Sequence, residues 1–432
     1  MPVAQRNTIV LSVIAAFTLL QLIILHIFGY TPYPDSEGYI GLAKECLEAG
    51  EPYPTAFQYK EHVFIWNLGA INIVALSLWL FKSITPLLVL YSFMKGATAW
   101  LLYQITEKTV NKKTAFTALL IYVLYPANYG ESTSTLSELP FIFFCLAGIL
   151  CALNRKAMSG GILMAIGNWF RPMGMVFLLS AIIFLLFKKE KRKAVNLTAG
   201  YLACIIFIGG INFLRIKHFT FQAQTGWMAL MQYSWDNDPN RSENLKLFPN
   251  GNPMYYGQQT DCGQRDNLWK KNFFIWLQHN PQEYLKQMPL KLAKTYISDN
   301  VNFCTFLSGK EEKDYMYEEL SMKRLVADFQ HLSKVQSLTL YNLFYYYMLI
   351  ICFFMSCISL LKRRETQFVV LPISIVTIGT AVLLFFGHGE ARFHIPFMPF
   401  IIMSVATWLS IRIKPKYNNN EEKISICHKQ CP

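Results

Sequence analysis

The chain of 432 residues is 53% hydrophobic and only 16% charged, a balance that excludes an ordinary soluble protein of this length. Its formal net charge of +13 does not indicate nucleic acid binding, because the basic residues lie in short loops between apolar segments. Most of the ten cysteines also fall inside apolar segments, which indicates small hydrophobic side chains rather than a disulfide framework. We therefore predict an all-helical polytopic membrane protein.

Ten apolar segments are predicted to cross the membrane. The first, 8–28, supplies the roughly 20 apolar residues that a spanning helix needs, and no small-residue cleavage site follows it, so we expect an uncleaved anchor. The other nine follow in chain order at 86–105, 115–129, 136–153, 160–170, 173–187, 195–214, 339–361, 368–386 and 395–411.

Basic residues indicate which side of the membrane each loop faces. With ten spans, the five basic clusters all fall on one side of the membrane. Because cytoplasmic loops carry an excess of Lys and Arg, we predict that this side faces the cytoplasm. This parity excludes 63–81 as a further span, so we predict an interfacial or re-entrant helix there. It also splits 160–187 into two short helices at Arg171 and Pro172, and it places both termini in the cytoplasm of a bacterial inner-membrane protein. The clusters are Lys108 with Lys112 and Lys113, Arg155 with Lys156, 188–193, 362–364 and 412–416.

The same topology predicts four regions. Helical patterns in the predicted extracytoplasmic domain run over 266–279 and again after Asn280 and Pro281. Cys262 and Cys304 in that region either pair or stay free thiols. The regions are an N-terminal transmembrane module at 1–214 with an external loop at 29–85, an extracytoplasmic domain at 215–338, C-terminal transmembrane helices at 339–411 and a cytoplasmic tail at 412–432.

The first external loop carries two carboxylates just above the first span, Asp35 and Glu37. A carboxylate here can act as a general base that accepts the proton of an acceptor hydroxyl, a role that speeds group transfer about 10²-fold to 10⁴-fold. The alternative is structural: Asp35 or Ser36 caps the following helix, and Glu37 favours its positive N-terminus.

Three further ionisable residues lie at the predicted outer ends of spans. Glu138 indicates either a polar cavity or a first-turn Glu capped by Ser137. Arg171 and Arg392 lie near the outer hydrocarbon boundary and need an anionic partner there. A phosphate fits the guanidinium fork, and the alternatives are pairing with Glu390 or snorkelling to the surface.

Five short motifs occur in order along nearly the whole chain. Their order and topology resemble those of the GT-C glycosyltransferases, specifically the protein O-mannosyltransferase and aminoarabinose transferase-like branch (glycosyltransferase family 39 type). One departure is Ser36, which separates an acidic pair that is adjacent in the family. The motifs are Asp35, Glu37, Tyr39 and Ala43; Ser137, Glu138, Pro140 and Asn154; Gly161, Gly167, Arg171 and Pro172; Asn280, Pro281, Tyr284, Leu285 and Lys291; and Glu390, Arg392, His394, Pro396 and Pro399.

The resemblance implies an inverting transfer of a sugar from a polyprenyl phosphate carrier to a lipid, protein or glycan acceptor on the extracytoplasmic face. It leaves open a divalent metal at Glu138 and implies no other cofactor. The implied site residues are Asp35 as the base, Glu37 and Glu138 shaping the acidic cleft, Arg171 and Arg392 holding the phosphate, and Lys60, His62 and His394 assisting with the substrate.

Two other functions fit the same sequence features. A transporter or flippase of lipid-linked sugars needs the arginines and a lipid-facing groove but no base. A polysaccharide polymerase or ligase shares the donor and binds saccharide in its external domain. In that domain Trp227, Trp235, Trp269 and Trp276 either stack on sugar rings or rest on the membrane surface.

Overall fold

The computed structural model describes residues 3–53, 65–255, 257, 262–299 and 334–412. Within these ranges the chain is helical and contains no β-strand, which confirms the predicted all-helical class for this part of the protein. The α-helices are α1 (Val3–Phe28), α2 (Pro34–Ala49), α3 (Leu68–Phe81), α4 (Thr85–Thr109), α5 (Lys112–Leu124), α6 (Glu138–Leu153), α7 (Ala157–Phe170), α8 (Gly174–Phe187), α9 (Lys191–Ile216), α10 (Gly226–Asp236), α11 (Arg241–Asn244), α12 (Cys262–His279), α13 (Pro281–Tyr296), α14 (Lys334–Lys362), α15 (Val370–Phe386) and α16 (Met398–Arg412).

Four stretches of the described residues are long and apolar enough to cross a membrane. The short helical segment Pro126–Thr133 and α6 meet at 112° and would add a fifth span if the bent pair crosses as one. A helical membrane protein is therefore supported, whereas the full set of ten spans remains a prediction. The four stretches are Asn7–Phe28, Lys191–Ile216, Ser337–Lys362 and Ala391–Ile411.

The other predicted spans all contain helices. All of these except α4 have fewer than 18 residues, and α4, with 25, carries polar residues such as Lys95. Helices α7 and α8 have 14 residues each, about 21 Å at 1.5 Å per residue, which is shorter than the hydrocarbon core. The chain breaks between them at Arg171 and Pro172, as predicted, because proline cannot continue the helix. Helix α3 also has 14 residues, and its interfacial placement stays a prediction.

Glycines let α7 approach both α6 and α9 at backbone contact distance. A Cβ atom on Gly148 of α6 would lie 2.7 Å from the carbonyl oxygen of Gly160 in α7. A Cβ atom on Gly161, next along α7, would overlap the backbone of α9. Small residues allow such close packing between membrane helices. Because α6 and α7 form a hairpin, the packing returns Arg171 to the end of the pair where Glu138 begins α6.

Helices α10, α12 and α13, from the predicted external domain, surround a second hydrophobic core. Both helical patterns expected there correspond to helices, with α12 ending at His279 and α13 beginning at Pro281. Trp235, Trp269 and Trp276 are buried in this core, so their rings are packed against protein rather than free to stack on a sugar. Trp227 is partly buried at the edge of the same core.

We expect Gly161→Ala to destabilise the protein, because the added methyl group must push α7 away from α9. Overpacking of a tight contact costs typically about 1–3 kcal/mol, so the Tm of the purified protein in detergent should fall by several degrees. Gly210→Ala is the matched control, since Gly210 lies in α9 with open space around its Cβ position. An equal Tm for the two variants would contradict the close packing of α7 against α9.

Candidate active site

Arg392 is the centre of a buried cluster of charged side chains. It lies in the 3₁₀ segment Ala391–Phe397 just before α16, and its side chain is 10% exposed. Each guanidinium nitrogen faces a carboxylate: Nη2 is paired with Asp35, Nε lies 2.6 Å from Glu390, and Nη1 lies 3.7 Å from Glu138. Three carboxylates from distant parts of the chain therefore share one arginine.

Glu138 joins the two predicted site arginines. It begins α6, is 1% exposed, and forms an ion pair with Arg171 as well as lying beside Arg392. The α6–α7 hairpin explains this pairing, because Arg171 directly follows the last residue of α7. Buried ion pairs persist only when such partners compensate the lost hydration of each charge. The cluster is thus assembled by helix packing as well as by charge.

Asp35 is the one of the three carboxylates best suited to take up a proton, because it is partly exposed and its pKa is raised. It lies in the first turn of α2, with its side chain 22% exposed. Burial raises the pKa of Asp35 above its ordinary value, the charge of Arg392 opposes this, and Glu138 and Glu390 raise the pKa further. A carboxylate with a raised pKa binds a proton more readily than an unperturbed one.

Glu390 has the opposite tendency. Burial alone would raise its pKa, but the hydrogen bond from His388, at 3.3 Å, and the charge of Arg392 lower the pKa of Glu390 to about 2. It therefore stays ionised at neutral pH and serves as a fixed negative partner for Arg392. The preceding Gly389 has a φ of +71°, and a Cβ atom there would lie 3.0 Å from the backbone of Lys291, so only glycine fits this turn without strain.

A set of hydrogen bonds fixes Glu138 from the side of α2 and α3. The Nδ2 group of Asn67 donates to Tyr39 Oη at 2.6 Å and to Ser137 Oγ at 3.3 Å. Ser137 Oγ in turn donates to Glu138 Oε2 at 3.4 Å. Asn67 was not among the predicted site residues, although an amide at the edge of an apolar segment was an available signal.

The segment 126–137, which leads into Glu138, is rich in polar residues and almost entirely buried. Lys95, in the middle of α4, forms an ion pair with Glu131 and donates to Asn128 Oδ1 at 3.1 Å. The same segment also contacts the residues that lead into α2, because Thr133 O accepts a hydrogen bond from Thr31 N–H at 2.8 Å. A second contact runs from Thr135 Oγ1 to Ser36 O at 3.3 Å. This segment thus positions both Asp35 and Glu138. Its buried polar residues are Asn128, Glu131, Ser132, Thr133, Ser134, Thr135 and Ser137.

The sequence did not indicate Lys95, although a single lysine inside the predicted span 86–105 was a usable signal. A charge at such a depth is costly and is retained only with a partner. Its partner Glu131 is 1% exposed and lies 36 positions along the chain, so the pairing could not be read from spacing.

His394, which the resemblance included in the substrate site, lies in a second buried network. It is fully buried, with Nδ1 2.7 Å from Thr295 O and Nε2 3.8 Å from Asp299 Oδ1. Tyr125 Oη donates to the same Asp299. Burial raises the pKa of Asp299 to about 7. The ring of Tyr296 stacks on His394 with centroids 5.2 Å apart, so His394 packs against the end of α13.

Of the remaining predicted site residues the structure describes only Glu37, which is not brought into the cluster. Glu37 lies in the first turn of α2 with an exposed side chain, and among the described residues it makes no ion pair with Arg171 or Arg392. Lys60 and His62 lie outside the described residues, as does Cys304, the predicted alternative partner of Cys262.

The residues around Glu138 do not fit the divalent metal that the resemblance left open. In the described part of the chain, no group of three or more His, Cys, Asp or Glu side chains has an arrangement that could hold a metal ion. The guanidinium groups of Arg171 and Arg392 occupy the positions facing Glu138 that a cation would take. Their fixed positive charge performs the neutralising role of a metal ion at this carboxylate.

No family model and no curated protein matches this sequence. Among solved structures, the chain is similar to the archaeal oligosaccharyltransferase AglB from Archaeoglobus fulgidus, determined in complex with an inhibitory peptide and a dolichol-phosphate. The identity is 11% and the TM-score 0.43, over 93% of this chain and 50% of that one. The chain thus spans about half the length of AglB. A likeness at this level establishes neither the family nor the function.

We expect Lys95→Met to lower the free energy of unfolding by about 3–5 kcal/mol, because it leaves Glu131 charged and unpaired in the interior. Chemical denaturation in detergent measures the change. The double variant Lys95→Met/Glu131→Gln should recover part of the loss, since neither charge then remains. Lys108→Met, at an exposed position of the same helix, is the control and should behave as the unchanged protein. A loss in the double variant as large as in Lys95→Met would contradict this explanation.

Proposed function

We propose that this protein is an integral-membrane glycosyltransferase that moves a sugar from a polyprenyl-phosphate-linked donor to an acceptor hydroxyl on the extracytoplasmic face. The observation that supports the proposal is the single buried cluster of Asp35, Glu138, Arg171 and Arg392, drawn from four distant segments. All four lie at the helix ends that the distribution of basic residues assigns to the outside. The proposal includes the bacterial inner membrane as the location and cytoplasmic termini.

In the proposed reaction Asp35 is the general base. The acceptor oxygen attacks the anomeric carbon while Asp35 takes the hydroxyl proton, and the bond from that carbon to the donor phosphate oxygen breaks. The phosphate leaves with the bonding electron pair, and attack by the acceptor oxygen from the opposite face inverts the configuration at the anomeric carbon. Arg171 and Arg392 stabilise the charge that develops on the leaving phosphate in a site largely removed from water.

The ion pairs of Arg392 give this mechanism an order of events. Without substrate, Arg392 Nη2 is paired with Asp35, which lowers the readiness of that carboxylate to accept a proton. A donor phosphate competes with Asp35 for the same guanidinium, because a phosphate matches its fork geometry. Donor binding therefore frees Asp35 to act as the base. Glu390 and Glu138 keep Arg392 in position during the exchange.

This assignment separates the enzyme from the two alternatives. A flippase needs the two arginines and a lipid-facing groove but no base, so the loss of transfer in Asp35→Asn separates the enzyme from it. A polymerase that holds saccharide on external tryptophans is disfavoured, because three of the four tryptophans named for that role are buried in the core.

We expect Asp35→Asn to reduce sugar transfer by about 10²-fold to 10⁴-fold, because the amide cannot accept a proton. The measurement is mass spectrometry of envelope lipids, glycoproteins and glycans from cells that lack the gene and carry either variant or the unchanged gene. Glu48→Gln, at an exposed position of the same helix, is the matched control and should restore the product. If cells with Asp35→Asn contain as much product as those with the unchanged gene, the proposed base is wrong.

The transfer rate should depend on pH through Asp35. Protonation of Asp35 removes the base, so the rate is expected to fall as the pH falls through its raised pKa. Glu390→Gln removes a negative neighbour that raises the pKa of Asp35, and the acidic limb of the rate profile should therefore move to lower pH. The pH profile of kcat/KM for the two proteins in vesicles measures this. A shift to higher pH would contradict the proposed electrostatic relation.

A further inference from the structure

Helix α13 buries mostly polar residues, and its exposed side carries several large apolar residues beside Gln282, Lys286 and Lys294. Its buried positions are Tyr284, Gln287, Lys291 and Thr295. On the exposed side, Leu285 is 63% exposed and Leu292 is 42% exposed. Leu290 is also exposed, and so is Ile297, which directly follows the helix. This exposed apolar set, the α13 face, needs a non-aqueous neighbour.

Contacts with α15 fix the depth of α13 relative to the apolar helices. At the start of α13, Tyr284 Oη donates to Phe385 O at 2.8 Å, next to the last residue of α15. At its end, Tyr296 Oη lies 2.6 Å from Thr380 Oγ1. Thr380 lies about two turns, or about 10 Å, before the end of α15. Helix α13 therefore runs alongside α15, from its end toward its middle, instead of lying beyond its end.

Contacts with α14 place the end of α13 against a candidate span. Tyr346 Oη donates to Tyr296 O at 3.0 Å, and Tyr347 Oη donates to Ile297 O at 2.5 Å. Both tyrosines lie within the span Ser337–Lys362. On the same helix Phe344 and Ile351 are 66% and 53% exposed, as expected of a lipid-facing surface. The α13 face thus continues the exposed apolar surface of α14.

The buried side of α13 supports the turn that carries the site residues. The backbone of Lys291 approaches Gly389 closely, and the carbonyl oxygen of Thr295 lies 2.7 Å from His394 Nδ1. Lys291 Nζ lies 4.9 Å from the centre of the Tyr233 ring. Burial lowers the pKa of Lys291 to about 8. One face of α13 therefore holds the turn before Arg392, and the other is left for a different partner.

We infer that α13 is an interfacial helix whose apolar face is embedded among the phospholipid acyl chains of the leaflet on the Arg392 side. The depth along α15 and the continuity with the exposed surface of α14 favour lipid over a protein partner. An amphipathic helix in this position buries its apolar side about 5–10 Å into the boundary of headgroups and acyl chains, which agrees with the descent to Thr380. This inference is independent of the proposed enzymatic activity.

The test uses the full-length protein with p-benzoylphenylalanine in place of Leu292, purified and reconstituted in vesicles of phosphatidylethanolamine and phosphatidylglycerol. After irradiation, intact-mass spectrometry should find an adduct with the mass of one phospholipid. The same probe in place of Ile351 is the positive control on α14. The probe in place of Arg241, which is 54% exposed in α11 of the predicted external domain, is the negative control and should give no lipid adduct.

Three results would overturn the inference. One is a crosslink from position 292 to residues 300–333 of the same chain, and another is a crosslink to a second copy, seen as a doubled mass. The third is the absence of a lipid adduct at position 292 when position 351 gives one. Each labelled protein must melt within the range of the unlabelled protein, so that a misfolded variant is not scored as a negative result.

Discussion

A guanidinium group removed from water requires negative partners, and the arrangement of this protein around Arg392 follows from that requirement. Asp35 ties α2 to it, Glu390 ties the turn before α16, and Glu138 ties the α6–α7 hairpin through its second ion pair with Arg171. Because each partner comes from a different part of the chain, the charges determine how these elements meet. Removing one partner would leave the others with uncompensated charge in a buried site.

The described part of the fold was largely predictable, because hydrophobicity and helix length depend on local composition. The break at Arg171 and Pro172 followed from counting basic loops, and the structure has a helix on each side of it. The number of membrane crossings was less predictable, since several helices are short or carry polar residues such as Lys95. Their crossing depends on neighbours that composition does not reveal.

The charged residues of the cluster were singled out from the sequence, but most of their pairings were not predicted. Arg171, Arg392 and Glu138 were singled out because charges near a hydrocarbon boundary are costly, and that argument needs no structure. Arg392 does pair with Glu390, as the alternative interpretation predicted. It also pairs with Asp35 and lies beside Glu138, so the pair with Glu390 is part of the shared site. His394, two positions after Arg392, faces a different network, because the direction of a side chain within a 3₁₀ segment cannot be inferred from its neighbours in sequence.

The buried pair of Lys95 and Glu131 has a consequence for how the protein is made. On the predicted topology α4 is synthesised and offered to the bilayer before Glu131 emerges, and a lone lysine at the centre of a helix costs about 2.5–3.5 kcal/mol to insert. That cost is relieved only when α5 and the segment after it arrive. On this topology we therefore expect α4 and α5 to insert together, with Glu131 completing the integration of the earlier helix.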